Sequence, residues 1–164
     1  MHATLDNMPE MAGDEKAIES SRWFDAPRWM VWEAFADPKQ VVQWWGPHGF
    51  TATIAEMELH AGGKWRMVMH GPDGTDYPGE MTFLEVTPGE RVRLEMLGGK
   101  EGGPPVRFTI SIAWTEEKGG TRLDWWIKYA SREQRDENVR AYGAVQGLRD
   151  LFERLETLLE KRLQ

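Results

Sequence analysis

Few side chains in this sequence can do acid/base or metal chemistry, and their spacing says what they are suited to. His48, His60 and His70 supply imidazole, which moves protons near neutral pH and binds borderline metal ions. None forms a His-x-x-x-His or Glu-x-x-His pair, so no helical metal motif is present. Glu56, Glu58 and His60 alternate, which on a strand puts two carboxylates and an imidazole in one row. A solvated outer sheet face produces the same period-2 polarity, and it is the simpler reading. No Gly-x-Ser-x-Gly, P-loop or Gly-x-Gly-x-x-Gly is found. Asp73-Gly74 marks a turn, without the further ligands of a calcium loop. No nucleophile has an evident base beside it. Cysteine is absent, which removes disulfides, thiol catalysis and Cys-based zinc sites. The sequence thus leads us to expect no metal and no cofactor. Acid/base catalysis stays open only through a His or carboxylate that projects into a cavity with a perturbed pKa.

The other unusual chemistry is aromatic. Nine Trp and nine Met occur in 164 residues, which points to aromatic packing or an aromatic cavity. The stretch QVVQWWGPHGF (40–50) sets Trp44 and Trp45 directly against a Gly-Pro break. Net charge is −7 with no basic run, which argues against nucleic acid and against an anionic membrane surface. Nothing approaches eighteen consecutive apolar residues, so no membrane insertion is expected. Residues 1–15 read as a polar, mobile leader without signal-peptide features, before one domain over 16–164 of a cytoplasmic protein.

Positioning these residues requires elements, and the hydrophobic period supplies them. AIESSRWF (17–24) can be a strand. DAPRWMVWEAFAD (25–37) reads as a helix with Asp25 as N-cap, Pro27 in the first turn and Trp29, either Val31 or Trp32, and Phe35 on its apolar stripe. Pro38 opens a second short helix that runs through Trp45 to Gly46-Pro47. From Phe50 the period changes from 3.6 to 2, and six strands follow. PDGTDYPG (72–79) reads as a turn. Alternation sends Trp65, Met67 and Met69 to one face of their strand. It likewise groups Val106, Phe108, Ile110, Ile112 and Trp114, then Leu123, Trp125, Ile127 and Tyr129. Trp126 falls on the opposite face, with Arg122, Asp124 and Lys128, as an exposed indole or part of an interface. The last thirty-odd residues read as one long helix capped by Ser131, with Ala141, Ala144, Val145, Leu148, Leu151, Phe152, Leu155 and Leu159 on one stripe. Gly143 and Gly147 near its edge each cost roughly 1 kcal/mol against Ala in a helix interior. That cost suggests close approach or empty space.

The combination RWFDAPRWMVWEAFADPKQVVQWWGPHGF, ELHAGGKWRMVMHGPDGTDYPGE, FLEVTPGERV, GGTRL and AYGAVQGLRDLFERLETLL resembles the activator of Hsp90 ATPase homologue 1-like family of the START/SRPBCC superfamily, over about residues 17–160. The resemblance implies an α+β helix-grip fold: a seven-stranded antiparallel sheet wrapped around a long C-terminal helix, with two short helices after the first strand. It also implies a hydrophobic ligand cavity between sheet and helix, closed at one end by the short helix pair. For most bacterial members of the family, the resemblance implies no settled ligand or reaction.

Read together, residues and resemblance lead us to expect an apolar or aromatic small molecule as partner. The expected wall is Trp45, Met57, Trp65, Met67, Met69, Met81, Phe83, Phe108, Ile110 and Trp125, with Gly143 and Gly147 thinning the helix beside it. For Met81 and Phe83, Leu84 and Val86 offer the opposite phase. Two alternatives stand beside this reading. One is a cyclase-, aldol- or hydrolase-type catalyst in the same cavity, and the other a protein linked to an Hsp90-type chaperone. A homodimer is compatible with all three.

Overall fold

The computed structural model describes residues 14–164; the expected leader lies, except for its last two residues, outside the described residues. Seven strands are observed: β1 (Ala17–Phe24), β2 (Thr51–Met57), β3 (Lys64–His70), β4 (Asp76–Thr87), β5 (Arg91–Gly98), β6 (Val106–Glu117) and β7 (Gly120–Lys128). They form one antiparallel sheet in the order β1-β7-β6-β5-β4-β3-β2. Helices α1 (Arg28–Ala36) and α2 (Pro38–Val41) follow β1, and α3 (Arg132–Tyr142) and α4 (Ala144–Arg162) follow β7. The fold is the expected α+β arrangement, with α4 packed on the concave face.

Strand alternation builds that face. Across β6 and β7, Ile110 pairs with Ile127, Ile112 with Trp125 and Trp114 with Leu123, and all six are buried. Two irregularities change the phase inside a strand. A bulge between Phe83 and Glu85 turns both Phe83 and Val86 toward the core and leaves Leu84 exposed, because one extra residue shifts the period-2 pattern. A second bulge between Ile54 and Glu56 does the same for Ile54 and Met57. Strand β4 also begins earlier than expected, at Asp76, and includes Pro78. Pro78 pairs with Val68 of β3, whereas pairing with β5 starts only at Gly79. Its missing N–H therefore falls where no second strand needs it.

Three local expectations are corrected. Asp25 is not the cap of α1; Pro27 occupies that position without a side-chain cap. Met30, Val31, Ala34 and Phe35 form the buried stripe of α1, so Val31 and Phe35 lie inward as one expected alternative had them, whereas Trp29 is 59% exposed. Helix α2 stops at Val41, and Trp44 and Trp45 sit on turns in which their backbone N–H groups donate to Val41 O. Its start is as strong as it is short: the Asp37 carboxylate accepts from Lys39 N–H and from Gln40 Nε2. Those two bonds, Gln40 first, hold its pKa below the usual carboxylate value.

The C-terminal segment is two helices rather than one. Ser131 caps α3 as expected, accepting from Gln134 N–H at 3.0 Å. Gly143 then adopts φ +61° and ends α3 in a left-handed cap, a conformation that is unfavourable for residues with a Cβ. Helix α3 buries none of its residues, and Ala141 and Val145 leave the apolar stripe for solvent. Gly143 is thus a break, with open space around its Cβ position, and Gly147 lies inside α4, where an added Cβ would meet only Pro47 Cγ at 3.4 Å. Opposite outcomes are expected from the same substitution. Gly143→Ala should destabilise by about 1–2 kcal/mol through left-handed strain. Gly147→Ala should stabilise by several tenths of a kcal/mol, the helix gain of about 1 kcal/mol less the crowding of Pro47. Urea melts of the two variants would check the signs.

Trp126 is also corrected. It lies on the outer face, as alternation requires, yet is 0% exposed. Its ring packs over Ala113 and Ala17, and its Nε1 donates to Glu19 Oε2 at 3.2 Å. The small residues on the flanking strands leave a slot that an indole fills. The neighbouring Asp124 is fully buried and accepts from Arg122 Nε at 3.1 Å.

Candidate functional site

The aromatic interior begins with the break after α2. Gly46 has φ +102°, and a Cβ there would lie 2.0 Å from Met69 Cε. Only glycine lets the chain turn at this point while β3 passes beneath it. The turn lays both indoles inward. Trp44 is anchored by its Nε1, which donates to Ala34 O of α1 at 2.9 Å. Trp45 packs against the sheet, with its ring centroid 4.7 Å from Trp65 and 5.4 Å from Trp125. Phe35 stands edge-on to Trp65 at 5.7 Å, Phe83 stacks on Trp65 at 6.1 Å, and Phe152 of α4 closes on Trp125 at 6.0 Å.

All ten expected wall residues outside the helix belong to this core or pack against it. Trp45, Trp65, Met67, Met81, Phe83, Ile110 and Trp125 are buried; Met57, Met69 and Phe108 are partly buried at its margin. Where the sequence suggests open space, the rings themselves fill much of the volume between sheet and α4. Gly143 is exposed at the break between α3 and α4, and Gly147 faces Pro47 of the loop. Two indole N–H groups stand unpaired inside, the first of them Trp65 Nε1, which is buried and has no hydrogen-bond partner among the described residues. A buried donor left unpaired costs about 1–3 kcal/mol, so such a group calls for an explanation. Trp114 Nε1, beside Trp32 at a ring distance of 4.9 Å, is in the same condition.

The loop after Trp45 is clasped to α4 by Arg154. Its Nη1 donates to the carbonyls of Trp45, Gly46 and Pro47 at 3.3, 2.9 and 3.0 Å, and its Nη2 to Gln43 O at 3.0 Å. Burial lowers the guanidinium pKa from its ordinary value, and the carboxylate of Asp150 opposes that shift. On the outside of the clasp, His48 Nε2 lies 3.0 Å from Glu153 Oε1. Asp150, Glu153 and Arg154 all lie outside the apolar stripe read from the sequence, which gave no sign of the clasp. A charged residue on a helix flank looks solvated until the loop that it holds is known.

The other two described histidines lie away from the interior. His60 is exposed, with Nδ1 near Ala61 O at 3.0 Å. Glu56 faces Arg66 across the strands and Glu58 Oε1 accepts from Lys64 N–H, so that row is solvated as expected. His70, however, has partners on both nitrogens: Thr53 Oγ1 at 2.8 Å from Nε2 and Asp76 Oδ1 at 2.8 Å from Nδ1. A hydroxyl therefore does stand beside a base, contrary to the sequence reading. The relay joins three strands, His70 lying directly opposite Asp76 on β4 and diagonal to Thr53 on β2, which no spacing within one strand reveals. It sits on the outer face, on the far side of the sheet from the aromatic interior. A surface groove of about 750 Å³ also opens between α1 and the β6–β7 hairpin, lined by Trp29, Trp32, Pro88, Glu116 and Lys118 among others.

Comparison with known proteins agrees with this architecture. The family described as "Activator of Hsp90 ATPase homolog 1-like protein" matches residues 25–160. Protein Ms6760 from Mycobacterium smegmatis is 30% identical, with TM-score 0.80 over 91% of this chain and 94% of that one. A protein from Arthrobacter aurescens is 26% identical, with TM-score 0.82 over 90% of this chain and 87% of that one. DynU16, from the dynemicin biosynthetic locus, shares the fold at 21% identity and TM-score 0.65, over 88% of this chain and 47% of that one. No curated protein matches. No helix among the described residues is long and apolar enough to cross a membrane.

Proposed function

Because the chain belongs to the activator of Hsp90 ATPase homolog 1-like family, a helix-grip family associated with apolar ligands, we propose that it binds an aromatic small molecule carrying one hydrogen-bond acceptor. The observation that carries this reading is the orphaned Trp65 N–H inside an otherwise apolar wall. A ligand carbonyl or ether oxygen completes that donor, and its ring system lies among Trp45, Met57, Trp65, Met67, Met69, Met81, Phe83, Phe108, Ile110 and Trp125. Room comes from displacement of the Trp44–Phe50 loop, with its left-handed Gly46 and Gly49, and from repacking of the methionines, whose unbranched thioethers adapt to irregular shapes. The lining is apolar and the histidines stand outside it, so these residues support binding rather than acid/base chemistry.

Paired titrations test the proposal. Tetralone and its parent hydrocarbon tetralin differ mainly in one carbonyl acceptor. Both are expected to quench tryptophan fluorescence, with tetralone bound about two- to tenfold tighter, the worth of one hydrogen bond. Trp65→Phe is expected to erase that preference while still binding tetralin. Failure of both molecules to bind, or an undiminished preference in Trp65→Phe, would overturn the reading.

A further inference from the structure

We infer that His48, Asp150 and Glu153 form a binding site for a first-row divalent cation of the zinc type, independent of the apolar interior. Asp150 and Glu153 stand three apart on α4, so one face of the helix carries both carboxylates. The loop brings His48 onto that face from across the fold. Its Nε2 is 3.0 Å from Glu153 Oε1 and 3.9 Å from Asp150 Oδ1, and one donor atom from each residue falls within 4.8 Å of the others. Zinc bonds to nitrogen and oxygen run about 2.0–2.2 Å, which puts neighbouring donors on one ion roughly 3–4 Å apart. The observed spacings bracket that requirement with only small side-chain rotation.

The surroundings hold the donors in place. Backbone N–H of His48 donates to Asp150 Oδ2 at 3.3 Å, and Gln146 Nε2 donates to Asp150 Oδ1 at 2.9 Å. Arg154 fixes the backbone on the other side by its bonds to Gln43, Trp45, Gly46 and Pro47. The cation of Arg154 faces Asp150 and weakens the local field, but its donors are directed to carbonyls and two carboxylates remain for the ion. Asp150 is largely buried, whereas His48 and Glu153 are half exposed, so water completes the coordination. One imidazole with two carboxylates selects zinc, cobalt or nickel over magnesium and calcium, which take oxygen alone. An ion there would bridge the loop to α4, stiffening the same clasp that Arg154 makes.

The test is zinc titration by calorimetry on the untagged, chelator-stripped chain, with thermal melts in parallel. One zinc ion per chain is expected, together with a higher melting midpoint. His48→Ala and Glu153→Gln should each lower zinc affinity by about tenfold or more and abolish the thermal shift. His70→Ala, on the outer sheet face, should change neither. His48 and Glu153 are exposed and His70 is half-buried, and the metal-free melts of all variants would report any folding defect separately. No uptake of zinc, uptake unaffected by His48→Ala and Glu153→Gln, or calcium bound as tightly as zinc would each overturn the assignment.

Discussion

Trp65→Ala is expected to destabilise the protein by about 3–5 kcal/mol, the usual range for removing a fully buried indole. Trp65 is 0% exposed and touches Phe35, Trp45 and Phe83, so its loss removes contacts from both short-helix and sheet partners. These rings come from α1, the loop after α2 and β4, and they cannot all collapse into the space. The hole should stay dry and apolar, and such holes take up small aromatic molecules. Adding indole to Trp65→Ala is therefore expected to recover part of the loss in urea melts. Trp65→Phe behaves differently. It removes the unpaired N–H along with part of the ring, and an unpaired buried donor is a burden in the free protein. Its stability is expected within about 1 kcal/mol of the parent, since lost packing and relieved desolvation oppose each other. A loss below about 1 kcal/mol for Trp65→Ala would show that the indole does not fill the interior.

Arg154→Ala is the second large effect, expected at about 2–4 kcal/mol. Four carbonyls of the Gln43–Pro47 segment lose the guanidinium at once, and Pro47 O alone of them keeps a backbone donor among the described residues, Phe50 N–H. Hydrogen bonds from a charged group contribute about 1.5–3 kcal/mol each in isolation, but the Gln43 contact is exposed and water replaces it. Loss of the remainder should release the loop before it unfolds the sheet. Hydrogen exchange should accordingly quicken at residues 44–50, with β6 and β7 protected as before. Arg154→Lys is expected to fall between the two, because one ammonium lacks the planar fork that spans several carbonyls. A wild-type exchange pattern in Arg154→Ala would remove the clasp from the account.

Much of this protein was determined by local sequence alone. Period-2 alternation is imposed by the geometry of a strand, so the inward set Trp65, Met67, Phe108, Ile110 and Trp125 could be assigned without knowing what covers it. The chain order of strands, short helices and terminal helix follows from the change of period and from Gly-Pro punctuation. Wherever one added residue or one distant neighbour decides, sequence was insufficient. Bulges at Phe83/Glu85 and Ile54/Glu56 reverse a phase without any marker residue. Gly143 reads as a helix-interior glycine until its left-handed φ ends α3, because helix propensity does not distinguish a tolerated glycine from a cap. The Arg154 clasp, the His48–Asp150–Glu153 cluster and the Thr53–His70–Asp76 relay each join side chains from elements that meet only after folding. Trp126 stands on the polar face by alternation yet is buried, since the residues beside it on β1 and β6 are small. Inward or outward direction is a property of the backbone, whereas burial and partnership belong to the neighbours, and those are chosen by the tertiary structure.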